Sequence, residues 1–180
     1  MAAEEARRAA ISYCTYQARV DIYWRYLPAA DERAHVDAIV TSLMTALDSP
    51  TRRWNPYNSA MVKAEFRKRL ERASRGQLQP VDELKSLRGG RGILYEIRWN
   101  AINVVDVYSD QKQVHSKTNA RLIHAEPDEL GIAMLGLVVH EKRRGGTKQD
   151  QDDAIDEAER IFNAGLPTVW GVTKRSQRTT

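Results

Sequence analysis

Arginine, lysine and histidine side chains occur in three apolar segments whose patterns predict neighbouring strands. Arg98 lies in the first segment, Arg121 begins the second, and Lys142 and Arg143 follow the third. Because antiparallel strands lie about 4.8 Å apart, side chains from adjacent strands can surround one phosphate group. Arginine suits this role, since its planar guanidinium group donates bidentate hydrogen bonds worth roughly 1.5 to 3 kcal/mol each. The sequence therefore predicts an anion-binding site on this sheet.

Two histidines, His124 and His140, belong to the same predicted strands. A neutral imidazole is the usual proton carrier near pH 7, so either histidine is a candidate for proton transfer. Simpler interpretations remain open for each residue. A strand histidine can bond a backbone carbonyl group, and Arg98 can form a surface ion pair with Glu96 worth under about 1 kcal/mol. The basic end of the third strand can also be a solvated loop.

The central strand of this predicted sheet lies in the segment GIAMLGLVVHEKRRGG, from Gly131 to Gly146. Its part from Leu130 to Val139 is almost entirely apolar and too short to span a bilayer, which predicts a strand covered on both faces. Three adjacent cations and a histidine then follow, and two glycines end the segment.

Helices are predicted before the sheet and one helix after it. Residues 3 to about 27 favour a helix, because Val20, Tyr23, Trp24 and Leu27 follow helical spacing, although aromatic and β-branched residues there also suit a strand. The other predicted helices run from the N-cap Asp31 to near Asp48, from Ser59 to Ser74, and from Asp150 to Asn163.

The predicted strands are separated by polar segments. Alternation from Gly92 to Asn100 predicts a strand that directs Glu96, Arg98 and Asn100 to solvent. A further strand is possible over Ala101 to Val107, followed by a long polar loop from Ser109 to Asn119. Ala120 to Glu126 can pair antiparallel with Leu130 to His140 through a turn at Pro127. The predicted fold class is α+β, with N-terminal helices, an antiparallel sheet of about four strands and a closing helix.

Composition sets wider limits on function. A net charge of +4 and a pI near 9.3 are compatible with a polyanionic partner without requiring one. Cys14 is the only cysteine, so the sequence predicts neither an internal disulfide nor a cysteine-based zinc site, and an intracellular location is expected. The sequence contains no P-loop, dinucleotide fingerprint or HExxH motif, and no metal or cofactor is predicted. Neither a signal peptide nor a segment of membrane-spanning length is evident.

Three segments carry a resemblance to a known family. They are LKSLRGGRGILYEIRW from Leu84, ARLIHAE from Ala120 and LGLVVHEKRRGGTKQDQDDAIDEAERI from Leu135. In this order they resemble the RelE/HigB superfamily of bacterial and phage type II toxins, over about residues 60–163. The chain then divides into an N-terminal helical extension (1–57), a toxin-like domain (58–166) and a flexible tail (167–180).

The resemblance implies an activity and partners. Members are small α+β endoribonucleases that cut mRNA in the ribosomal decoding site and are neutralised by a cognate antitoxin, here expected to be a helix-turn-helix protein. The cut is metal-independent, because the ribose 2′-hydroxyl attacks the adjacent phosphate and leaves a cyclic phosphate. A cytoplasmic protein that acts on mRNA with the ribosome is therefore expected.

The resemblance also implies residue roles. Arg98 and Arg121 would hold the scissile phosphate, and Lys142 or Arg143 would stabilise its charge, worth on the order of 10² to 10³ in rate per donor. His140 would transfer a proton, worth roughly 10² to 10⁴. Further RNA contacts are expected from Arg91, His124, Arg143, Arg144 and Lys148.

Departures from the family pattern at Glu96, Ala120 and Glu141 leave two alternatives. One is a non-catalytic RNA- or protein-binding member of the same fold. The other is an unrelated domain whose basic corner is only surface.

Overall fold

A mixed sheet of six strands, with helices on both faces, forms the framework of the computed structural model, which describes residues 12–87, 94–142 and 147–174. The strands are β1 (Asp21–Trp24), β2 (Arg52–Arg53), β3 (Leu84–Ser86), β4 (Leu94–Val107), β5 (Gln113–Ala125) and β6 (Ala133–Lys142). The helices are α1 (Glu32–Ala46), α2 (Pro56–Ser74) and α3 (Lys148–Gly165), and short 3₁₀ turns occupy Tyr13–Thr15, Asp128–Leu130 and Leu166–Gly171. The predicted α+β class is confirmed.

The sheet has the order β1-β6-β5-β4-β2, and β3 also pairs with β4. Every pair is antiparallel except β1 and β6, which run parallel. This differs from the predicted sheet of about four antiparallel strands, chiefly because the segment around Val20 to Leu27 is not a helix. Ile22 and Tyr23 pack into cores on opposite faces of the sheet, which is the alternation of a strand. The first part of that predicted helix, residues 3–11, lies outside the described residues.

The polar segment from Ser109 to Asn119 is not the predicted loop. Its second half begins β5 and pairs with the second half of β4, for example His115 with Val105. The two strands therefore form one long hairpin whose turn is short, with Tyr108 N donating to Lys112 O at 3.1 Å. Polar residues suit this end of the hairpin because much of it is exposed to solvent.

Two apolar cores lie on the two faces of the sheet. The first is formed with α1 and α2, and includes Ile39, Leu43, Phe66 and Leu70. The second is formed with α3 and includes Ala158 and Ile161. The helix boundaries follow their caps: Asp31 accepts a hydrogen bond from Ala34 N, Asn55 from Asn58 N, and Thr147 from Asp150 N. The β4–β5–β6 part of the sheet is thus held from both sides.

The chain after α3 does not begin as the flexible tail predicted from Pro167. Leu166–Gly171 forms a 3₁₀ turn that folds back onto α3. Trp170 in this turn is fully buried against Phe162, and its indole Nε1 donates to Phe162 O at 2.8 Å. Burial of a large aromatic ring fixes this segment.

No helix in the described ranges has the length and apolar character needed to cross a membrane.

Candidate functional site

Four of the predicted site residues lie on one face of the sheet. Arg98 in β4 is directly opposite Arg121 in β5, and Arg121 is directly opposite His140 in β6. Lys142 follows His140 by two positions, so it shares the same face. We call Arg98, Arg121, His140 and Lys142 the cationic row. It crosses three neighbouring strands on the α3 side of the sheet, as their predicted pairing requires.

Glu96 lies beside the row and is fully buried, although the sequence predicts it on a solvated face. Its Oε1 atom is 3.2 Å from Arg98 Nε and 3.4 Å from Arg121 Nε. Neither carboxylate oxygen has a partner with hydrogen-bond geometry among the described residues. The glutamate is therefore held by charge alone, and its negative charge offsets part of the positive charge of the row.

Arg121 is the most enclosed member of the row, with 3% of its surface exposed. Its Nη1 donates to Trp99 O at 3.0 Å and to Ala120 O at 2.8 Å, and its Nη2 donates to Asn100 Oδ1 at 2.9 Å. The ladder between β4 and β5 shifts register between Trp99 and Ile102, which leaves the Trp99 carbonyl available.

This environment changes the role expected for Arg121. Burial lowers the pKa of its guanidinium group to about 10, against the opposing charge of Glu96, so the side chain remains cationic at pH 7. However, its hydrogen bonds already go to protein oxygens. In this conformation Arg121 braces the bulge in β4 and holds Glu96, and it is not open to a phosphate as the sequence interpretation proposed.

The other three members of the row are more accessible. The Arg98 side chain is 24% exposed, and its Nη1 donates to Val81 O at 3.1 Å. Lys142 is half-buried, and its Nζ donates to Gln151 Oε1 on α3 at 3.0 Å. These two cations flank the row at its open ends.

His140 lies partly exposed between them. Its Nε2 atom is itself buried and has no hydrogen-bond partner within the described ranges, so a substrate reaches this nitrogen only after a side-chain movement. Burial lowers the pKa of His140 below 6.5. The negative charge of Glu96 acts against this decrease, and the positive charge of Arg121 adds to it. The ring is therefore neutral at pH 7 and can accept a proton.

His124 is not an RNA contact as predicted, because it lies on the opposite face of the sheet and is fully buried. Its ring stacks on Tyr95, with centroids 5.6 Å apart. Its Nε2 is 3.4 Å from Glu126 Oε1 and 3.9 Å from Cys14 Sγ. Cys14, His124 and Glu126 form a buried group, which we call the cysteine cluster, with one possible ligand atom from each residue within 4.8 Å of the others.

Glu141 also points away from the cationic row. It pairs with Ala120, on the α1 and α2 side of the sheet, and its Oε1 accepts from Thr118 Oγ1 at 2.7 Å. Arg52 Nη2 is 3.2 Å from the same oxygen, and Arg52 Nε is 3.1 Å from Asp106 Oδ1. The sequence interpretation counted Glu141 as an anion in the basic corner, but it belongs to this separate buried ion-pair group.

Of the remaining predicted RNA contacts, the structure describes only Lys148. Lys148 is exposed at the first position of that helix. Arg91, Arg143 and Arg144 lie outside the described residues.

Sequence reasoning missed the structural roles of Arg52, Cys14 and Glu126. Period-two alternation along β5 and β6 could have separated Arg121 from His124 and His140 from Glu141. No pattern linked Cys14 to β5, because the two are 110 residues apart. Comparisons of the chain with protein-family models, with curated protein sequences and with solved structures find no match.

Proposed function

We propose that the chain is a metal-independent endoribonuclease of the RelE/HigB toxin class. The observation that carries this proposal is the register that aligns Arg98, Arg121 and His140 across three strands. With Lys142 the row contains three cations against one buried anion, Glu96, so its net charge is positive while His140 is neutral. A neutral imidazole beside an excess of positive charge suits proton removal next to a phosphodiester.

The proposed reaction is an internal transfer within RNA. His140 accepts the proton of a ribose 2′-hydroxyl, and that oxygen attacks the adjacent phosphorus. The bond from phosphorus to the 5′ oxygen breaks, and the leaving oxygen takes a proton from water. The products are a 2′,3′-cyclic phosphate and a 5′-hydroxyl end. Arg98 and Lys142, which are the accessible cations, stabilise the charge that develops on the phosphate oxygens.

Arg121 and Glu96 have positioning roles in this proposal. Arg121 fixes the bulge of β4 through two backbone carbonyl groups, and Glu96 holds Arg98 and Arg121 by ion pairs. The carboxylate also opposes the fall in the pKa of His140 that burial causes. Removing either residue would therefore alter the site without removing a direct substrate contact.

The proposed partners follow from the same class. mRNA on the ribosome is the substrate, a helix-turn-helix antitoxin is the neutralising partner, and the cytoplasm is the place of action. The exposed Lys148 at the start of α3 extends the positive surface on the side of Lys142.

Cleavage of a labelled mRNA by the purified chain, with and without ribosomes, tests the proposal. We expect cyclic-phosphate products in the presence of EDTA, and a loss of roughly 10² to 10⁴ in rate for His140→Gln. His115→Gln is the matched control, because His115 is exposed on the distal hairpin. Intact RNA with folded wild-type protein, or equal rates for the two histidine variants, would contradict the proposal.

A second candidate is a non-catalytic RNA-binding protein. The observation that favours it is the hydrogen bonding of Arg121 to protein oxygens, since this reduces the number of free cations at the site. In that case the wild-type chain would bind RNA without cutting it, and His140→Gln would leave the affinity unchanged.

A further inference from the structure

We propose that the cysteine cluster is a binding site for one Zn²⁺ ion, formed by Cys14 Sγ, His124 Nε2 and Glu126 Oε1. The site is separate from the proposed RNA-cleaving site, because it lies on the opposite face of the sheet. It is also independent of the proposed function, since that reaction uses no metal.

The distances between the ligand atoms fit a tetrahedral metal. Zn²⁺ binds nitrogen and oxygen at about 2.0 to 2.2 Å and sulfur at about 2.3 Å, so ligand atoms in a tetrahedral site lie roughly 3.3 to 3.7 Å apart. Here Nε2 is 3.4 Å from Oε1 and 3.9 Å from Sγ. All three ligand atoms lie within 4.8 Å of one another, so shifts of up to about 1 Å would bring them to bonding positions around one ion.

The chemistry of the three ligands selects the metal. A thiolate, an imidazole and a carboxylate form a mixed set that suits Zn²⁺, whereas Mg²⁺ and Ca²⁺ prefer oxygen ligands only. The Ser12 hydroxyl donates to Glu126 Oε1 at 2.5 Å, which is too close for a second ligand, so Ser12 orients the carboxylate and the fourth position is left for a water molecule. The cluster is fully enclosed by protein, since Cys14 and His124 have no exposed surface and Glu126 has 9%.

Hydrogen bonds hold the ligands in place from both sides. Tyr13 N donates to Glu126 Oε2 at 2.9 Å, and Leu78 N donates to Cys14 O at 3.0 Å. His124 Nδ1 is buried with no hydrogen-bond partner in the part of the chain that the structure describes. The metal would bind Nε2, the ring nitrogen that lies beside Glu126 and Cys14, so Nδ1 takes no part in the site.

Zinc binding would join two distant parts of the chain. Cys14 lies in the turn Tyr13–Thr15, whereas His124 and Glu126 lie at the end of β5 and just after it. The ion would replace the thiol proton of Cys14, form the Zn–S bond and release that proton to solvent. It would thereby attach the start of the described chain to the sheet and stabilise the folded state by linkage.

Metal loading of the full chain tests the site. The metal content of the protein purified after growth with zinc is measured first, and the protein is then refolded with CoCl₂ so that burial does not block entry. We expect one equivalent of Zn²⁺ per chain and, with Co²⁺, a sulfur-to-cobalt charge-transfer band. Both should be lost in Cys14→Ser and His124→Gln, and both should be kept in the control His115→Gln. Ser12→Ala should weaken binding about tenfold by releasing Glu126.

A refolded wild-type chain without bound metal or without the charge-transfer band would overturn the zinc proposal. Metal binding that survives in folded Cys14→Ser would also overturn it. If that variant does not fold, the band of the wild-type protein decides, because only a thiolate ligand produces it. RNA cleavage in EDTA is measured on the same preparations, so failure of the zinc site and failure of the endoribonuclease proposal are seen separately.

Discussion

Arg121 and His124 lie three residues apart on β5, yet they belong to opposite faces of the sheet and to different chemical environments. Arg121 is part of the cationic row, whose other members are partly open to solvent. His124 is part of the cysteine cluster, which is enclosed by the 3₁₀ turn at Tyr13–Thr15. The alternation of side chains along one strand thus separates the residues of the proposed RNA site from those of the proposed zinc site.

The two groups also differ in how their buried carboxylates are satisfied. Glu126 accepts hydrogen bonds from Ser12 Oγ and Tyr13 N and has the imidazole of His124 beside it. Glu96, within the part of the chain that the structure describes, is paired with the charges of Arg98 and Arg121 without hydrogen-bond geometry. A carboxylate held by charge alone depends on its partners, so the row should respond to loss of an arginine more strongly than the cluster responds to loss of one hydrogen bond.

Arg121→Ala should have the largest effect on stability. The substitution leaves Glu96 buried with one remaining cation and frees two carbonyl oxygens, which should cost about 3 to 5 kcal/mol of unfolding free energy. Urea denaturation measures this. The double variant Arg121→Met with Glu96→Gln should be more stable than Arg121→Ala, because it contains no uncompensated buried charge at Glu96. An Arg121→Ala protein as stable as the wild type would show that the buried ion pairs do not matter for folding.

Glu126→Ala should have the next largest effect on stability. It leaves Ser12 Oγ and Tyr13 N without their acceptor in a buried position, which should cost about 1 to 3 kcal/mol. Glu129→Ala is the control, since Glu129 is exposed and a surface change of this kind stays within about 0.5 kcal/mol. If urea denaturation gives the two variants equal unfolding free energies, Glu126 does not stabilise the fold as predicted.

Lys142→Ala should change RNA binding without changing folding. Each phosphate contact contributes about 0.7 to the magnitude of the slope of log affinity against log salt for single strands. The slope of this variant should therefore be smaller in magnitude by about 0.7. Its unfolding free energy should remain within about 0.5 kcal/mol of the wild-type value. Lys117→Ala, which removes an exposed lysine from the distal hairpin, should keep the wild-type slope. Identical slopes for both variants would exclude Lys142 from the RNA surface.

The stabilities contributed by the cationic row and the cysteine cluster should depend on pH in different ranges. These changes in unfolding free energy should be the smallest of the predicted effects. Burial lowers the pKa of His140 below 6.5, so the unfolded chain takes up that proton first and stability falls as pH drops through this range. Burial acts to raise the pKa of Glu126, but His124, Ser12 and Tyr13 together hold it below 4.5, so its contribution is lost only at lower pH.

Unfolding free energies measured in steps of pH separate these contributions. His140→Gln should flatten the dependence near pH 6.5 and keep the fall below pH 4.5, and Glu126→Gln should do the reverse. If a substitution leaves the pH dependence of the unfolding free energy unchanged in both ranges, the pKa shift of that residue does not cause the dependence.

The sequence predicted the helices from their caps and apolar spacing, because Asp31 and the stripe that follows it are local signals. It also predicted that Ala120–Glu126 pairs with Leu130–His140 and that Arg98 lies on a neighbouring strand, whereas the register that aligns Arg98, Arg121 and His140 comes from the structure. The segment from Val20 to Leu27 could not be assigned in the same way. Its aromatic residues fit either a helix or a strand, and only the parallel edge of β6 selects the strand.

By itself, the sequence determined which residues carry charge and in what order they enter the sheet, since periodicity and turn chemistry act over a few neighbouring residues. Only the tertiary structure decided which of those residues are accessible. Arg121 donates to the Trp99 carbonyl at the bulge, which occupies hydrogen bonds that a phosphate would need, and Glu96 between β3 and β5 is fully buried. The approach of Cys14 to His124 and Glu126 depends on a contact across 110 residues, which no local pattern encodes.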